Sequence, residues 1–218
     1  MITESFLLRT KSAKKLYESY ARDMPIIDYH CHINPREIAE DRRFETITQI
    51  WLSGDHYKWR LMRSNGVPEE EITGQADDYI KFLSFAEMLP KAIGNPMYHW
   101  CHLELKRYFG YDGILNGDTA NDVWELCNEE LANPDMSVRN IIKRSNVKMI
   151  GTTDDPVDTL EWHKIIAEDK SMDTQVLPSF RPDKAVNIDK PGFADYMNKL
   201  GEAAGIRIRS ADDVKNAL

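Results

Sequence analysis

The order of apolar and polar residues predicts helices first and parallel strands later. Residues 11–23 have helical spacing and stop ahead of Pro25, and the apolar run at 26–32 has the length of a buried strand. From residue 34 to 145 no segment alternates as a strand would. Amphipathic, aromatic-rich segments there, such as "DDYIKFLSFAEML" and "PMYHWCHLELKRYFG", predict a helical block.

The pattern changes after residue 145. "VKMIGTTDDP" and "TQVLPSFRPD" each predict a strand that runs into a polar loop, with a helical segment after each. This order is typical of parallel βαβ units and predicts the α/β fold class. We expect an N-terminal helix and first strand at 1–33, a helical insertion at 34–145 and βα units at 146–218. Three parallel strands leave open edges, which favours the front part of a larger sheet.

Composition and charge narrow the classes of partner. A net charge of −8 and a pI of about 5.3 argue against nucleic acid or an anionic membrane as the main partner. No segment approaches the ~20 apolar residues of a membrane span. The N-terminal "MITESFLLRTKSAKK" lacks the apolar run of a secretory signal, and three scattered cysteines imply no disulfide framework. We therefore expect a cytoplasmic protein.

The first predicted strand ends in two histidines two residues apart. In a strand, residues i and i+2 point to the same side, so His30 and His32 project together and Cys31 turns away. Two imidazoles at the carboxyl end of a strand could bind one divalent metal ion. A pair of partly buried, hydrogen-bonded histidines is the alternative that the spacing leaves open.

Two other segments carry candidate chemistry. In "SGDHYKWRLMR", His56 and Tyr57 stand at a predicted loop-to-helix junction, where they could supply a proton-transfer group and a hydrogen-bond donor. The same segment is equally explained as a solvent-exposed helix start with a packed aromatic residue. In "PSFRPD", Arg181 follows a strand and could hold a carboxylate with two hydrogen bonds, although most arginines are surface residues or structural ion pairs.

Three further polar clusters have structural explanations. His99 and His102 would share a helix face, but without a second cysteine cluster nearby we expect packing rather than a zinc site. We expect His163 to be structural. Asp154 and Asp155 end a strand, and an Asp ahead of Pro156 is expected to cap the next helix.

Five motifs taken together resemble the N-terminal part of uronate isomerase (glucuronate isomerase), a branch of the amidohydrolase superfamily. The motifs, in chain order, are "DYHCHINP", "GDHYKWRLMRSNGV", "GNPMYHWCHLELKRYFG", "TTDDPVDTLEWH" and "LPSFRPD". The resemblance implies a partial (β/α)₈ TIM-type barrel with a large all-helical insertion after strand 1. It matches His30 and His32 to two metal ligands, His56 and Tyr57 to an active-site pair, and Arg181 to an arginine that grips the substrate carboxylate.

The resemblance also implies a reaction. It is the aldose–ketose isomerisation of hexuronates, D-glucuronate to D-fructuronate and D-galacturonate to D-tagaturonate, through an enediol or enediolate. The cofactor would be one divalent ion, zinc or a similar metal. The family's last strands supply an aspartate ligand, a second arginine and a tryptophan, which this sequence lacks. We therefore expect weak metal binding, no turnover by these 218 residues alone, and self-association through exposed strand edges.

Two other classes of function remain open from the sequence. An amidohydrolase-type metal hydrolase would use a metal-bound hydroxide, and it would need further metal-binding residues beyond the later strands. A non-catalytic scaffold with vestigial ligands is the third possibility. Assays on D-glucuronate and on esters separate the first two, and a zinc titration tests the third.

Overall fold

The computed structural model describes residues 2–218. The three strands of its sheet are β1 Ile26–Asp28, β2 Val147–Asp154 and β3 Gln175–Phe180. The α-helices among these residues are α1 Lys11–Leu16, α2 Pro35–Ala39, α3 Ile47–Leu52, α4 His56–Ser64, α5 Asp78–Met88, α6 Pro96–Phe109, α7 Ala120–Leu131, α8 Val138–Arg144, α9 Glu161–Glu168, α10 Asp183–Val186, α11 Phe193–Ala204 and α12 Ala211–Ala217. A π-helix, Tyr17–Ala21, continues α1, and short 3₁₀ helices lie at Glu69–Glu71, Leu89–Ala92 and Pro134–Met136.

The chain forms two compact units. Residues 1–24 and 43–137 form the helical unit, and residues 25–42 and 138–218 form the sheet unit. The helical unit contains α1 and α3–α7, and the sheet unit contains the three strands with α2 and α8–α12. None of the helices in residues 2–218 combines the length and the apolar content that crossing a membrane requires.

Aromatic residues build the core of the helical unit. Phe82 and Phe85 of α5 are fully buried, and Trp51 of α3 packs on them with ring-centroid distances of 6.3 and 5.7 Å. Trp124 of α7 also lies against Phe82, at 5.5 Å. Each buried phenylalanine contributes about 2–3 kcal/mol to stability through the apolar area it removes from water. The amphipathic segments therefore fold into the helical block that their pattern predicts.

The sheet unit is built on three parallel strands in the order β1-β2-β3. The register between β2 and β3 runs without interruption from Met149↔Gln175 to Asp154↔Phe180. Helix α9 connects β2 to β3 and packs against β3, and its Ile166 is buried, as are Ile150 and Val176 of the sheet. This βαβ unit confirms the α/β class.

The first strand is shorter than its apolar run predicts. β1 ends at Asp28 rather than at residue 32, and its register with β2 is irregular between Ile26 and Ile27. β3 covers Gln175–Phe180 and the chain then leaves the sheet, as expected for a strand that runs into a polar loop. The predicted domain limits at residues 33 and 145 stay a prediction.

Both outer strands expose apolar side chains. Ile26 and Ile27 of β1 are about half exposed, and so are Leu177 and Phe180 of β3. Parallel strands are ordinarily covered on both faces and paired on both edges. This exposure supports the self-association expected from the sequence, which stays a prediction.

Candidate active site

The carboxyl ends of the strands meet at one edge of the sheet, because all three strands are parallel. His30 and His32 follow the end of β1, and Arg181 follows the end of β3. β1 and β3 lie on either side of β2, so their backbones are about 10 Å apart. Parallel α/β sheets bind their ligands at this edge.

The two imidazoles are neighbours. Their ring centroids lie 5.1 Å apart and the planes are nearly perpendicular. The Thr153 hydroxyl lies 3.2 Å from Nδ1 of His32 and holds that ring in position. Both rings are exposed to solvent, so a ligand can reach them. The arrangement places two imidazole rings side by side after the end of β1.

Gly151 determines how closely the histidine segment follows the sheet. The N–H of Cys31 donates to the Gly151 carbonyl at 2.9 Å, beyond the last residue of β1. A Cβ atom at position 151 would stand 2.5 Å from the carbonyl oxygen of Tyr29, which belongs to the backbone and cannot rotate away. Glycine is therefore required for the path that presents His30 and His32.

We expect Gly151→Ala to destabilise the complete protein by about 1–3 kcal/mol, because the extra methyl group overpacks against backbone. The same displacement of residues 29–32 should weaken metal binding. Urea denaturation and zinc titration measure the two effects. Gly54→Ala is the matched control, since a Cβ there meets nothing within 4 Å, and it should shift stability by less than about 0.5 kcal/mol. An unchanged urea midpoint for Gly151→Ala would contradict this explanation.

A buried polar network fixes the backbone at Arg181. The Asp154 carboxylate accepts hydrogen bonds from the Thr152 hydroxyl at 2.7 Å and from the N–H of Ser179 at 3.1 Å. Nε2 of His163 lies 2.7 Å from the same hydroxyl, so His163 has the structural place expected for it. The Asp154 carbonyl in turn accepts the N–H of Arg181 at 3.0 Å.

The Arg181 side chain forms a surface ion pair. Its Nε lies 3.2 Å from Oδ2 of Asp183, and the two side chains are 45% and 59% exposed. Exposed pairs of this kind contribute about 0–1 kcal/mol. The guanidinium can therefore exchange Asp183 for the carboxylate of a ligand at small cost, while the backbone of Arg181 stays fixed.

Asp155 does not cap the helix that follows it, contrary to expectation. α9 begins at Glu161 after Leu160, whose backbone is left-handed with φ of 55°. The Asp155 carboxylate instead accepts hydrogen bonds from the Tyr196 hydroxyl at 2.8 Å and from Lys184 at 3.1 Å. Burial by itself raises the pKa of Asp155, but these bonds and the N–H of Val157 hold it below its ordinary value. Its role is to tie the loop after β2 to α10 and α11.

The donor set suits a divalent metal ion but is incomplete. Neutral imidazole is a common ligand of zinc and of similar divalent ions. Zinc sites usually have three or four protein ligands, however. Residues 2–218 contain no group of three or more His, Cys, Asp or Glu side chains arranged to hold a metal. His30 and His32 alone therefore do not form a complete metal site among these residues.

We expect the 218-residue chain by itself to show no sub-micromolar zinc site in isothermal titration calorimetry, because two imidazoles leave half of a tetrahedral shell to water. Stoichiometric, sub-micromolar binding that disappears in His30→Ala would contradict this. It would show that the two histidines recruit enough further ligands from these residues.

His56 and Tyr57 begin α4 in the helical unit. Their rings lie 4.4 Å apart, and the guanidinium of Arg60 lies 5.8 Å from the Tyr57 ring. Tyr57 is 59% exposed and lines a surface cavity of about 550 Å³ together with Arg60, Asn95 and Trp100. The side chain of Asp55 caps the helix by accepting the N–H of Tyr57 at 2.9 Å. The first turn of α4 thus places Tyr57 at a cavity, with the His56 ring beside the Tyr57 ring.

The two histidines of α6, His99 and His102, make structural contacts. His102 is buried, its Nδ1 lies 2.6 Å from the carbonyl of Tyr98, and its Nε2 accepts the N–H of Leu115 at 3.0 Å. Burial lowers the pKa of His102, which matches a neutral ring with one donor and one acceptor nitrogen. His99 packs against Phe6 and Tyr98. The packing explanation for this pair is confirmed.

Sequence reasoning missed two residues, one beside the histidine segment of the sheet unit and one beside the His56–Tyr57 pair of the helical unit. The first is Gly151, which could have been found because a glycine inside a strand pattern indicates that another backbone segment approaches closely. Lys58 was the second, and its side chain is buried. The sequence contains a signal for it: Lys58 stands four residues before the buried Met62, on the same face of α4.

The fold and these groups define an α/β protein whose parallel sheet carries imidazole and guanidinium side chains at its carboxyl edge. The family model described as glucuronate isomerase matches residues 1–218, and the chain belongs to this family. The resemblance seen in the five sequence motifs is thereby confirmed. A uronate isomerase of Lachnospira eligens is 62% identical over 215 residues, which is 99% of this chain and 46% of the relative. One of Endomicrobium trichonymphae is 59% identical over 217 residues, 100% of this chain and 46% of the relative.

Solved structures agree with this assignment. The crystal structure of uronate isomerase from Thermotoga maritima matches with a TM-score of 0.93 and 36% identity, covering 100% of this chain and 47% of that one. Glucuronate isomerase from Caulobacter crescentus has a TM-score of 0.85 at 24% identity over 94% of this chain and 45% of that one, which shows likeness of fold alone. The chain spans about half the length of the curated relatives it matches.

Proposed function

We propose that the complete protein containing this chain is an aldose–ketose isomerase of hexuronates. Its substrates would be D-glucuronate and D-galacturonate, converted to D-fructuronate and D-tagaturonate. Family membership and relatives named uronate isomerase support the reaction class. The observation that carries the proposal for this chain is the pair of adjacent imidazoles at the same sheet edge as Arg181.

The proposed fold is the front part of a (β/α)₈ barrel of the amidohydrolase superfamily, with the helical insertion after its first strand. The three parallel strands, the βαβ unit at β2–β3 and the polar carboxyl edge support it. In such barrels the active site lies at the carboxyl ends of the strands. The exposed apolar side chains of β1 and β3 would then meet further strands of the barrel.

Arg181 is the proposed carboxylate clamp. A guanidinium matches a carboxylate with two parallel hydrogen bonds, and its charge is permanent. Asp183 is the partner of the guanidinium until the acid binds. Because the C6 carboxylate lies at the far end of the open-chain sugar from C1 and C2, this contact fixes the register of the substrate. It positions the reacting carbons and makes no bond itself.

His30 and His32 are the proposed ligands of one divalent ion, zinc or a similar metal, and further ligands would come from outside these residues. When bound, such an ion polarises the carbonyl and hydroxyl oxygens of the substrate as a Lewis acid. Thr153 contributes by holding the His32 ring. The spacing of the two rings is preformed, so the free energy of binding is not spent on bringing them together.

His56 and Tyr57 are the proposed catalytic pair. Moving a proton between C2 and C1 builds negative charge on the carbonyl oxygen, and a phenol can donate a hydrogen bond to that oxygen. An imidazole titrates near neutral pH and can orient or shuttle a proton. The close contact of the two rings at the start of α4, 4.4 Å between their centroids, supports a joint role. The general base at C2 is proposed to lie outside this chain.

Partners and location complete the proposal. The protein would act on a small-molecule acid in the cytoplasm, without nucleic acid or membrane as a partner, and would self-associate. The net charge of −8 supports a partner recognised by a local basic group rather than by the whole surface.

The test is a steady-state assay of the complete, zinc-loaded protein on D-glucuronate and D-galacturonate beside a panel of hydrolysable esters. Conversion of a uronate to its ketose without ester hydrolysis is the expected result. Ester or amide hydrolysis without isomerisation would replace the proposal by a metal hydrolase. We expect no turnover by the 218-residue chain assayed in parallel, because it lacks a third metal ligand.

A further inference from the structure

The most unusual charged side chain in the helical unit is Lys58. It is 6% exposed, although lysine is almost never fully buried unless it is paired. Its ammonium lies 2.7 Å from Oδ2 of Asp55 and 5.7 Å from the centre of the Trp51 ring. The side chain stands on α4 one residue after Tyr57, but it is turned into the core.

Asp55 connects this ammonium to the first turn of α4. Its Oδ1 accepts the backbone N–H groups of Tyr57 and Lys58 at 2.9 and 3.1 Å, while Oδ2 binds the ammonium. Burial by itself raises the pKa of Asp55, but the bonds from Lys58 and Tyr57 hold it below its ordinary value. One carboxylate thus caps the helix with one oxygen and is anchored in the core through the other.

A second carboxylate completes the environment of Lys58. Burial raises the pKa of Glu104 of α6, and the Lys58 charge and a hydrogen bond from Trp51 act in the opposite direction. Burial by itself lowers the pKa of Lys58, but Cys101, Glu104 and Asp55 around it raise its pKa above the ordinary value. The lysine therefore stays charged beside the Asp55 carboxylate.

We infer that Lys58 is a positioning residue for the His56–Tyr57 pair: through Asp55 it fixes the first turn of α4, and with it the orientation of both rings. This inference rests on the proposed function of the pair. A buried charge is a poor way to gain stability, because desolvation offsets most of its attraction. Its useful consequence here is geometric, since Tyr57 and Lys58 donate their backbone N–H groups to Oδ1 of the carboxylate whose Oδ2 is held by the ammonium.

The test uses the complete protein with Lys58→Met, Asp55→Asn and the double variant. Lys91→Met is the control, since Lys91 is exposed in the same unit. We expect Lys58→Met to lower kcat for the uronate about 10–100-fold and to change KM less than about threefold, since the carboxylate clamp is untouched. Asp55→Asn keeps a capping oxygen but loses the charge, and it should lower kcat about 10-fold. The double variant should be no worse than Lys58→Met, because both act through one contact.

A second measurement is independent of activity. The ring signals of His56 and Tyr57 in NMR spectra of selectively labelled protein should shift in Lys58→Met and Asp55→Asn and stay in place in Lys91→Met. Unmoved ring signals, or additive losses in the double variant, would overturn the inference. Moved signals in a protein that does not isomerise uronates would overturn the proposed function and leave the positioning role supported. Should Lys58→Met fail to fold, Asp55→Asn decides between the same outcomes.

Discussion

Replacing His32 by alanine in the complete protein should lower zinc affinity by a factor of about 100 or more and kcat/KM for D-glucuronate by about 1000. A metal held by few protein ligands loses a large part of its binding free energy with each one. The adjacent rings of His30 and His32 are proposed to bind the same ion. His30→Ala should therefore lower zinc affinity and kcat/KM as much as His32→Ala does, and the double variant should lower them only slightly further.

Metal content and kinetics of the His32→Ala protein measure this directly. His99→Ala is the matched control, because His99 packs between aromatic rings of the helical unit and has no proposed metal role. It should retain both zinc and activity. Full metal occupancy in His32→Ala, with undiminished turnover, would remove the histidine pair from the site.

Replacing Arg181 by methionine should raise KM for D-glucuronate about 10–100-fold, since a charge-assisted pair with the substrate carboxylate is worth about 1.5–3 kcal/mol. The kcat should fall as well, because the open-chain sugar loses its register. Arg181→Lys should recover part of the loss in KM, as it restores charge without the two-pronged geometry.

A control variant and a second substrate show whether the effect of Arg181→Met comes from the lost contact with the substrate carboxylate. Arg207→Met removes an exposed arginine of the same unit and should leave the kinetics unchanged. A neutral aldose without the C6 carboxylate should react equally poorly with the Arg181→Met variant and the unaltered protein. Equal losses for the acid and the neutral sugar would mean that Arg181 serves the fold and not the carboxylate.

The alternation of strand and helix after residue 145 could be predicted from the sequence, because a parallel sheet needs a helix between successive strands to connect them and cover the sheet. The helical block was readable from its apolar face, which became the core around Phe82 and Phe85. The ends of the strands could not be predicted from the sequence, because they depend on pairing with neighbouring strands. β1 ends at Asp28, although the chain stays hydrogen-bonded to β2 as far as Cys31.

Part of the candidate site could also be predicted from the sequence, and part of it could not. The i, i+2 spacing predicted that His30 and His32 project together, and the rings are neighbours. The spacing of Lys58 and Met62 on one face of α4 indicates that Lys58 faces the core, but the sequence does not show which groups surround it, because Trp51 and Glu104 come from other helices. Likewise, the helix after β2 begins at Glu161, and Asp155 bonds to Tyr196, a residue forty-one positions later, rather than to that helix.

Anomalous X-ray diffraction at the zinc edge, from crystals of the complete protein with zinc and D-glucuronate, tests the central claim most directly. We expect one zinc peak at the rings of His30 and His32, with the carboxylate of the sugar on the Arg181 guanidinium. A zinc ion bound elsewhere, or a sugar whose carboxylate points away from Arg181, would contradict it.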